Sequence, residues 1–366
     1  MLEKGKISAV QMAMIMHPTI IATAVLLIPS IAGQHAGRDL WISPYWASIS
    51  GFFTFFIAYR LHKRFPKETP IQYSQHIIGK VPGKIFGVSL MLFYIHSSGM
   101  IISEYAEFIN GVFLLRTPKV VIIGSMVLVC SFAIRGGIEV LCRVTEFFFP
   151  IVVGLLVIMF ILLIPDFNFM NVFPIFENGL MPSIRGAIPP ITWFSEFFLV
   201  AFLLPYVKDD EKKVRWGILS IVSVLAAMSL SNLIGLLILG ILTNDIAYPV
   251  MVAGKYISIA DFIEHIEAVV MAIWVIGAFL KISMFYYAVV LGTAQLCELS
   301  DYRSIVLPIG VILVVFTFWS VPDLMYFTKF LNVAAPFFLS FFQTVLPTLL
   351  LIIASLRKKE AKGYEG

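Results

Sequence analysis

The amino-acid sequence predicts an all-α membrane protein of ten transmembrane helices, built as a 5+5 inverted repeat in which helices one and six are broken. Three observations carry that expectation. The 366 residues are 60% hydrophobic and 13% charged, with a mean hydropathy of +0.94, whereas soluble domains carry about 25% charged residues. Apolar runs of bilayer length, about 20 residues each, recur near 10–34, 41–62, 83–114, 118–134, 147–164, 185–206, 215–243, 263–297, 304–320 and 329–355. The first and sixth runs are interrupted alike, and five runs per half give the halves opposite orientations.

In span one, Pro18, Thr23, Pro29 and Gly33 break the apolar stretch 15–34. A break inside the bilayer leaves backbone N–H and C=O groups without partners, and survives only where protein, water or a ligand satisfies them. Small residues at Ile21-Ala22-Thr23-Ala24 let a ligand approach the backbone, and free helical N–H groups favour an anion such as a carboxylate. A plain proline kink at Pro18 or Pro29 is the competing reading. After span two, 69–78 predicts a short amphipathic helix between Pro70 and Gly79, at the membrane interface. Spans three and eight exceed 30 residues, more than a core of about 30 Å needs at about 1.5 Å per residue, so both should tilt or project. Each carries an interior charge, Glu104 and Lys281. Residues 136–146 read as a connector before span five. In span six, Pro189-Pro190 and then Phe194-Ser195-Glu196-Phe197 interrupt 184–206.

The ten spans form one transmembrane domain over 1–366, with repeat halves at about 7–165 and 183–356. An even count puts both termini on one side. With that topology 19 Lys and Arg lie on the face of the termini, six lie on the other, and Lys281 lies inside span eight. The positive-inside rule then makes that face cytoplasmic. No cleavable signal peptide is expected. Cys130, Cys142 and Cys297 are too few and too scattered for a disulfide framework or a zinc site, and His96 reads as a packing residue. Residues 78–84 lack phosphate-loop spacing, and no nucleophile triad can be assembled. The net charge of +4 follows topology rather than nucleic acid. An enzyme, a metal and a cofactor are therefore not expected.

Paired interrupted helices in corresponding halves point to a solute site near the bilayer midplane. Glu196 is the sharpest residue there, because an intramembrane carboxylate costs several kcal/mol unless paired or hydrated. It either binds a substrate ammonium, carries a coupling proton, or braces the break as an acceptor. Phe194, Phe197 and Phe198 offer apolar walls. Lys281 either replaces a bound cation by a fixed charge or titrates. Ser283 and Tyr287 share one face of span eight, about 200° from Lys281, and Tyr94 and Ser98 share one face of span three. Glu104 faces the bundle and pairs either with Lys281 or with a charge of another span.

These residues carry a family resemblance. The broken span with Pro18 and Ile28-Pro29, the run from Trp193 through Ser195-Glu196 to Leu204-Pro205-Tyr206, and above all 272–287 with Lys281 at its centre resemble the endospore germination permeases. Those are the membrane-embedded B subunits of spore germinant receptors, within the amino acid–polyamine–organocation transporter superfamily. The likeness runs from about 7 to 356. It implies a LeuT-like fold, recognition of a nutrient that is usually an L-amino acid, and assembly with an A subunit and a lipoprotein C subunit in the spore inner membrane. By position it implies a ligand pocket of Thr23, Ala24, Tyr94, Ser98, Phe194, Ser195, Glu196, Phe198, Ser283 and Tyr287, with Lys281 at a cation-like position. Ala22-Thr23-Ala24 stand where many superfamily relatives have glycines. A proton-coupled amino-acid transporter is the alternative function.

Overall fold

The computed structural model describes residues 2–255, 267–321 and 323–358. The start of expected span eight, 263–266, and the tail beyond 358 lie outside the described residues. Helices in chain order are α1 (Ala9–Ala36), α2 (Ser43–Arg64), α3 (Pro70–Ile78), α4 (Lys80–Val112), α5 (Lys119–Arg135), α6 (Ile138–Leu163), α7 (Met181–Arg185) and α8 (Ile188–Ser195). There follow α9 (Lys213–Leu239), α10 (Pro249–Gly254), α11 (Glu267–Leu296), α12 (Val306–Ser320), α13 (Leu324–Val333), α14 (Ala335–Ser340) and α15 (Leu346–Leu356). Each of the ten expected spans has a helical counterpart. Among the described residues, eight helical segments are long and apolar enough to cross a membrane by length and composition. The other two are the 17-residue α5 and α2, which ends in His62-Lys63-Arg64.

Ser8 starts α1 with a capping box, its hydroxyl accepting from the Gln11 N–H while the Gln11 side chain accepts from Ser8 N–H. The expected break in helix one is not an unwound stretch here. The α-helix runs uninterrupted through Pro18 and Pro29. A proline removes one N–H donor and crowds the carbonyl four residues earlier. Here side chains take up carbonyls nearby: Thr19 Oγ1 donates to Ile15 O at 2.6 Å and Ser220 Oγ donates to Ala13 O at 3.2 Å. Dense packing against α9, α11, α6 and α8 then holds the helix together.

Helix six is broken, though not at its prolines. Pro189 and Pro190 lie in the first turn of α8, where a missing N–H costs nothing. The α-helix gives way at Ser195 to a 3₁₀ segment, Glu196–Phe202, that is buried throughout. The amphipathic helix expected at 69–78 is α3, capped by Thr69 and burying Ile71, Tyr73 and Ile77. The expected connector 136–146 is shorter. Gly137, at φ 88°, makes the turn and α6 starts at Ile138, because Glu139, Arg143 and Glu146 interrupt the apolar run without ending the helix. Span ten also differs, for α13 is a separate amphipathic helix and the crossing runs from Ala335 to Leu356.

The helix α1 lies at the centre and is buried along most of its length. Large apolar side chains point outward on the peripheral helices, such as Ile158 and Ile161 on α6, Val311 and Phe318 on α12, and Ile352 on α15. Outward apolar faces of this kind suit hydrocarbon rather than water. Arg357 Nη1 donates to Ile77 O of α3, and the N-terminal strap lies across the starts of α6 and the 206–208 segment.

Candidate functional site

A narrow cavity of about 30 Å³, part of it open to solvent, lies where α8 ends. Its polar lining is Thr23 of α1, Ser97 and Glu104 of α4, Thr192 of α8, and Glu196 at the break. Spacing along α4 explains half of this. Residues 97, 100, 101 and 104 repeat at i, i+3, i+4 and i+7 and so share one helix face. Trp193 Nε1 donates to Thr23 Oγ1 at 2.7 Å, tying the broken helix to α1 across the cavity wall. The remaining wall is apolar, chiefly Met100, Ile101, Phe327, Phe330 and Leu339. The α13 helix that supplies two of these phenylalanines is anchored to the end of α1, with Asn332 meeting Gln34 and His35 at 3.2 Å each.

Lys281 Nζ donates to Glu196 Oε2 at 2.7 Å, and both side chains are fully enclosed, at 0% and 4% exposure. The alternatives left open for Glu104 are thereby decided. Lys281 is taken by Glu196, and Glu104 makes no ion pair among the described residues. Its Oε1 has no hydrogen-bond partner, nor do Ser97 Oγ and Thr192 Oγ1. These three side chains are 3%, 4% and 2% exposed, and all line the same cavity. Buried polar groups in proteins are ordinarily paired, so three unpartnered groups on residues around one cavity stand out against a wall that is otherwise apolar.

Beneath it lies a second polar layer. Tyr94 Oη donates to Gln343 Oε1 at 3.4 Å, Gln343 Nε2 donates to Ser195 Oγ at 3.3 Å, and Ser195 Oγ donates to Thr192 O at 2.7 Å. Ser98 Oγ donates to Tyr94 O. Gln343 stands in a π-helical turn, Phe341–Val345, between α14 and α15. Such turns redirect side chains and recur at functional sites.

The structure thus brings Thr23 and Glu196 onto the cavity and Tyr94, Ser98 and Ser195 into the adjoining layer. Ala24 and Phe198 are buried beside them without lining it. Phe194 packs against Gly51 of α2, where an added Cβ would meet its ring at 2.8 Å. Ser283 is buried with an unpaired hydroxyl and does not line the cavity. Tyr287 belongs to another cluster, donating to Glu3 Oε2 at 3.4 Å on the N-terminal face. Sequence reasoning missed Ser97, Thr192, Gln343 and Glu3. The α4 face pattern carried the signal for Ser97, and Gln343 is the amide of an otherwise aromatic run; nothing marked Glu3.

Glu3 is nevertheless deeply buried. Its carboxylate accepts from Gly5 N–H at 2.7 Å, Ile138 N–H at 3.1 Å and Tyr302 Oη at 2.8 Å, besides Tyr287. Ile7 exchanges backbone hydrogen bonds with Tyr206 and Lys208. The strap 2–8 therefore closes the N-terminal face. Another cavity of about 40 Å³, between α1, α6, α10 and α11, is almost wholly apolar and carries no carboxylate.

A helical bundle of this kind, with helix six broken, is that of the LeuT-fold transporters. The chain is similar to a Na⁺-coupled sialic acid symporter in a substrate-bound outward-open state, with a TM-score of 0.66 and 13% identity, covering 93% of this chain and 80% of that one. It is also similar to Mhp1, a nucleobase-cation-symport-1 family transporter in a closed conformation with bromovinylhydantoin bound. There the TM-score is 0.57 and the identity 15%, over 97% and 80% of the two chains. At these identities the likeness shows the fold. The chain belongs to the Spore_permease family of spore germination proteins, whose model matches residues 6–323. Curated relatives include spore germination protein KB of Bacillus subtilis strain 168, 23% identical over 100% of this chain and 99% of that protein. Spore germination protein YndE of the same organism is 23% identical over 98% and 99%.

Proposed function

We propose that this protein is the nutrient-sensing membrane subunit of a spore germinant receptor, binding a small nutrient of the L-amino acid type in the cavity between α1, α4, α8 and α13. The carrying observation is that cavity: buried carboxylates and unpaired hydroxyls beside a broken helix, roofed by an amphipathic helix that can report occupancy. Ligand binding would shift the bundle between states, which requires a difference in affinity between them. By family, A and C subunits would pass on the signal in the spore inner membrane, with both termini in the cytoplasm.

A proton-coupled amino-acid transporter is the second reading, favoured by the likeness to symporters and by the ion pair at the break. Proteoliposomes holding this protein alone separate the two when loaded with radiolabelled L-amino acids. Retention that saturates near one mole per mole of protein and ignores a protonophore supports the receptor. Accumulation far above that level, collapsing with the protonophore, supports the transporter.

A further inference from the structure

The charges around the cavity do not cancel. Lys281 and Glu196 form a closed pair at 2.7 Å, and no Lys or Arg lines the cavity among the described residues. Glu104 is left over, 3% exposed and with Oε1 unpartnered. An ionised carboxylate only accepts hydrogen bonds, and burying one without a counter-charge is expensive. Its lining neighbours Ser97, Thr192 and Thr23 are hydroxyls, which turn to either role but bring no charge. Met100, Ile101, Phe327, Phe330 and Leu339 make the rest of the wall apolar.

From this arrangement we infer that the Glu104 carboxylate is the seat for the ammonium group of the ligand, so that the site selects a primary amine with an apolar body. The inference rests on the reading of this cavity as the nutrient site and adds which residue reads the amine. An ammonium supplies the positive charge and the N–H donor that the unpartnered Glu104 Oε1 lacks. Glu196 holds the same chemical group but is spent on Lys281. It positions the break and does not touch the ligand's amine. A large polar side chain finds no partner on the phenylalanine and leucine wall.

The test uses the full-length chain in lipid nanodiscs and a panel of the twenty common radiolabelled L-amino acids. Each binder is then competed with two analogues, the amine lacking its carboxylate and the 2-hydroxy acid lacking its ammonium. In the wild type the amine should compete and the hydroxy acid should be at least about tenfold weaker than the amino acid, the scale of one lost charged hydrogen bond. Glu104→Gln should weaken the amino acid by about tenfold to a hundredfold while leaving the hydroxy acid unchanged, so discrimination collapses. Glu104→Asp should retain part of it. Unchanged discrimination in Glu104→Gln overturns the assignment and leaves the nutrient site standing. Equal loss of both ligands in Glu104→Gln also overturns it, since that is the mark of a structural or proton-holding role. If the wild type binds no member of the panel, the nutrient-site reading falls and this assignment falls with it.

Discussion

Lys281 and Glu196 are each enclosed by protein, and neither is tolerable alone. Removing one partner of a buried pair leaves a bare charge in a low dielectric and costs about 3–5 kcal/mol, whereas replacing both is far milder. Lys281→Met should therefore lower the thermal unfolding midpoint in nanodiscs sharply, and adding Glu196→Gln should recover most of the loss. A Lys281→Met protein as stable as wild type would refute the closed pair. Glu196→Gln alone strands the lysine ammonium beside the break. We expect it to insert normally yet respond poorly to ligand, read as a rightward-shifted dose dependence in a germination assay; an unshifted curve would exclude a role for the pair in signalling.

At the scale of elements, two junctions set the site's shape. One is the change at Ser195 from α-helix to 3₁₀, supported from outside by Gln343 on its π-helical turn. Gln343→Leu removes the acceptor for the Tyr94 hydroxyl and the donor to Ser195. Orphaning such buried groups costs about 1–3 kcal/mol, so the variant should melt earlier and bind more weakly; wild-type melting would show the layer to be dispensable. The other junction is the α3–α4 corner. A Cβ at Gly83 would lie 2.4 Å from Gln75 Cα, a backbone atom that cannot step aside. Gly83→Ala should push α3 off the bundle, at a cost of about 1–3 kcal/mol for overpacking. Faster proteolysis at 65–69 than in the wild type is the readout.

Taken whole, the molecule is asymmetric about its midplane. The N-terminal face is closed by the 2–8 strap, pinned through the four hydrogen bonds to Glu3. On the opposite side the cavity is roofed by α13, a short helix tied to α1 through Asn332. On the proposed reading, a change of state would release one face while sealing the other. Glu3→Ala should loosen the closed face. Cys142 is buried beside it on α6, while Cys297 is exposed and serves as the internal reference. Maleimide labelling of Cys142 relative to Cys297 should then rise severalfold, and an unchanged ratio would count against the strap as the closure.

What the sequence determined by itself was the length-scale physics: membrane class, the ten crossings, the long third and eighth helices, α3 between its proline and glycine, and a break at Ser195–Glu196. These follow from hydropathy summed over about 20 residues and from local chain chemistry, both of which a linear string carries. It also marked Thr23, Glu196 and Lys281 as unusual, because a polar residue in an apolar run is visible without coordinates. Only the tertiary structure decided which of them meet. That α1 runs on through Pro18 and Pro29 rather than breaking is seen only where it packs against α9, α11, α6 and α8. That Lys281 chose Glu196 and left Glu104 unpaired, or that Tyr287 turned to Glu3 instead of the cavity, follows from how helices far apart in sequence are rotated against one another. Rotation about a helix axis leaves composition and hydropathy unchanged, so no one-dimensional pattern records it.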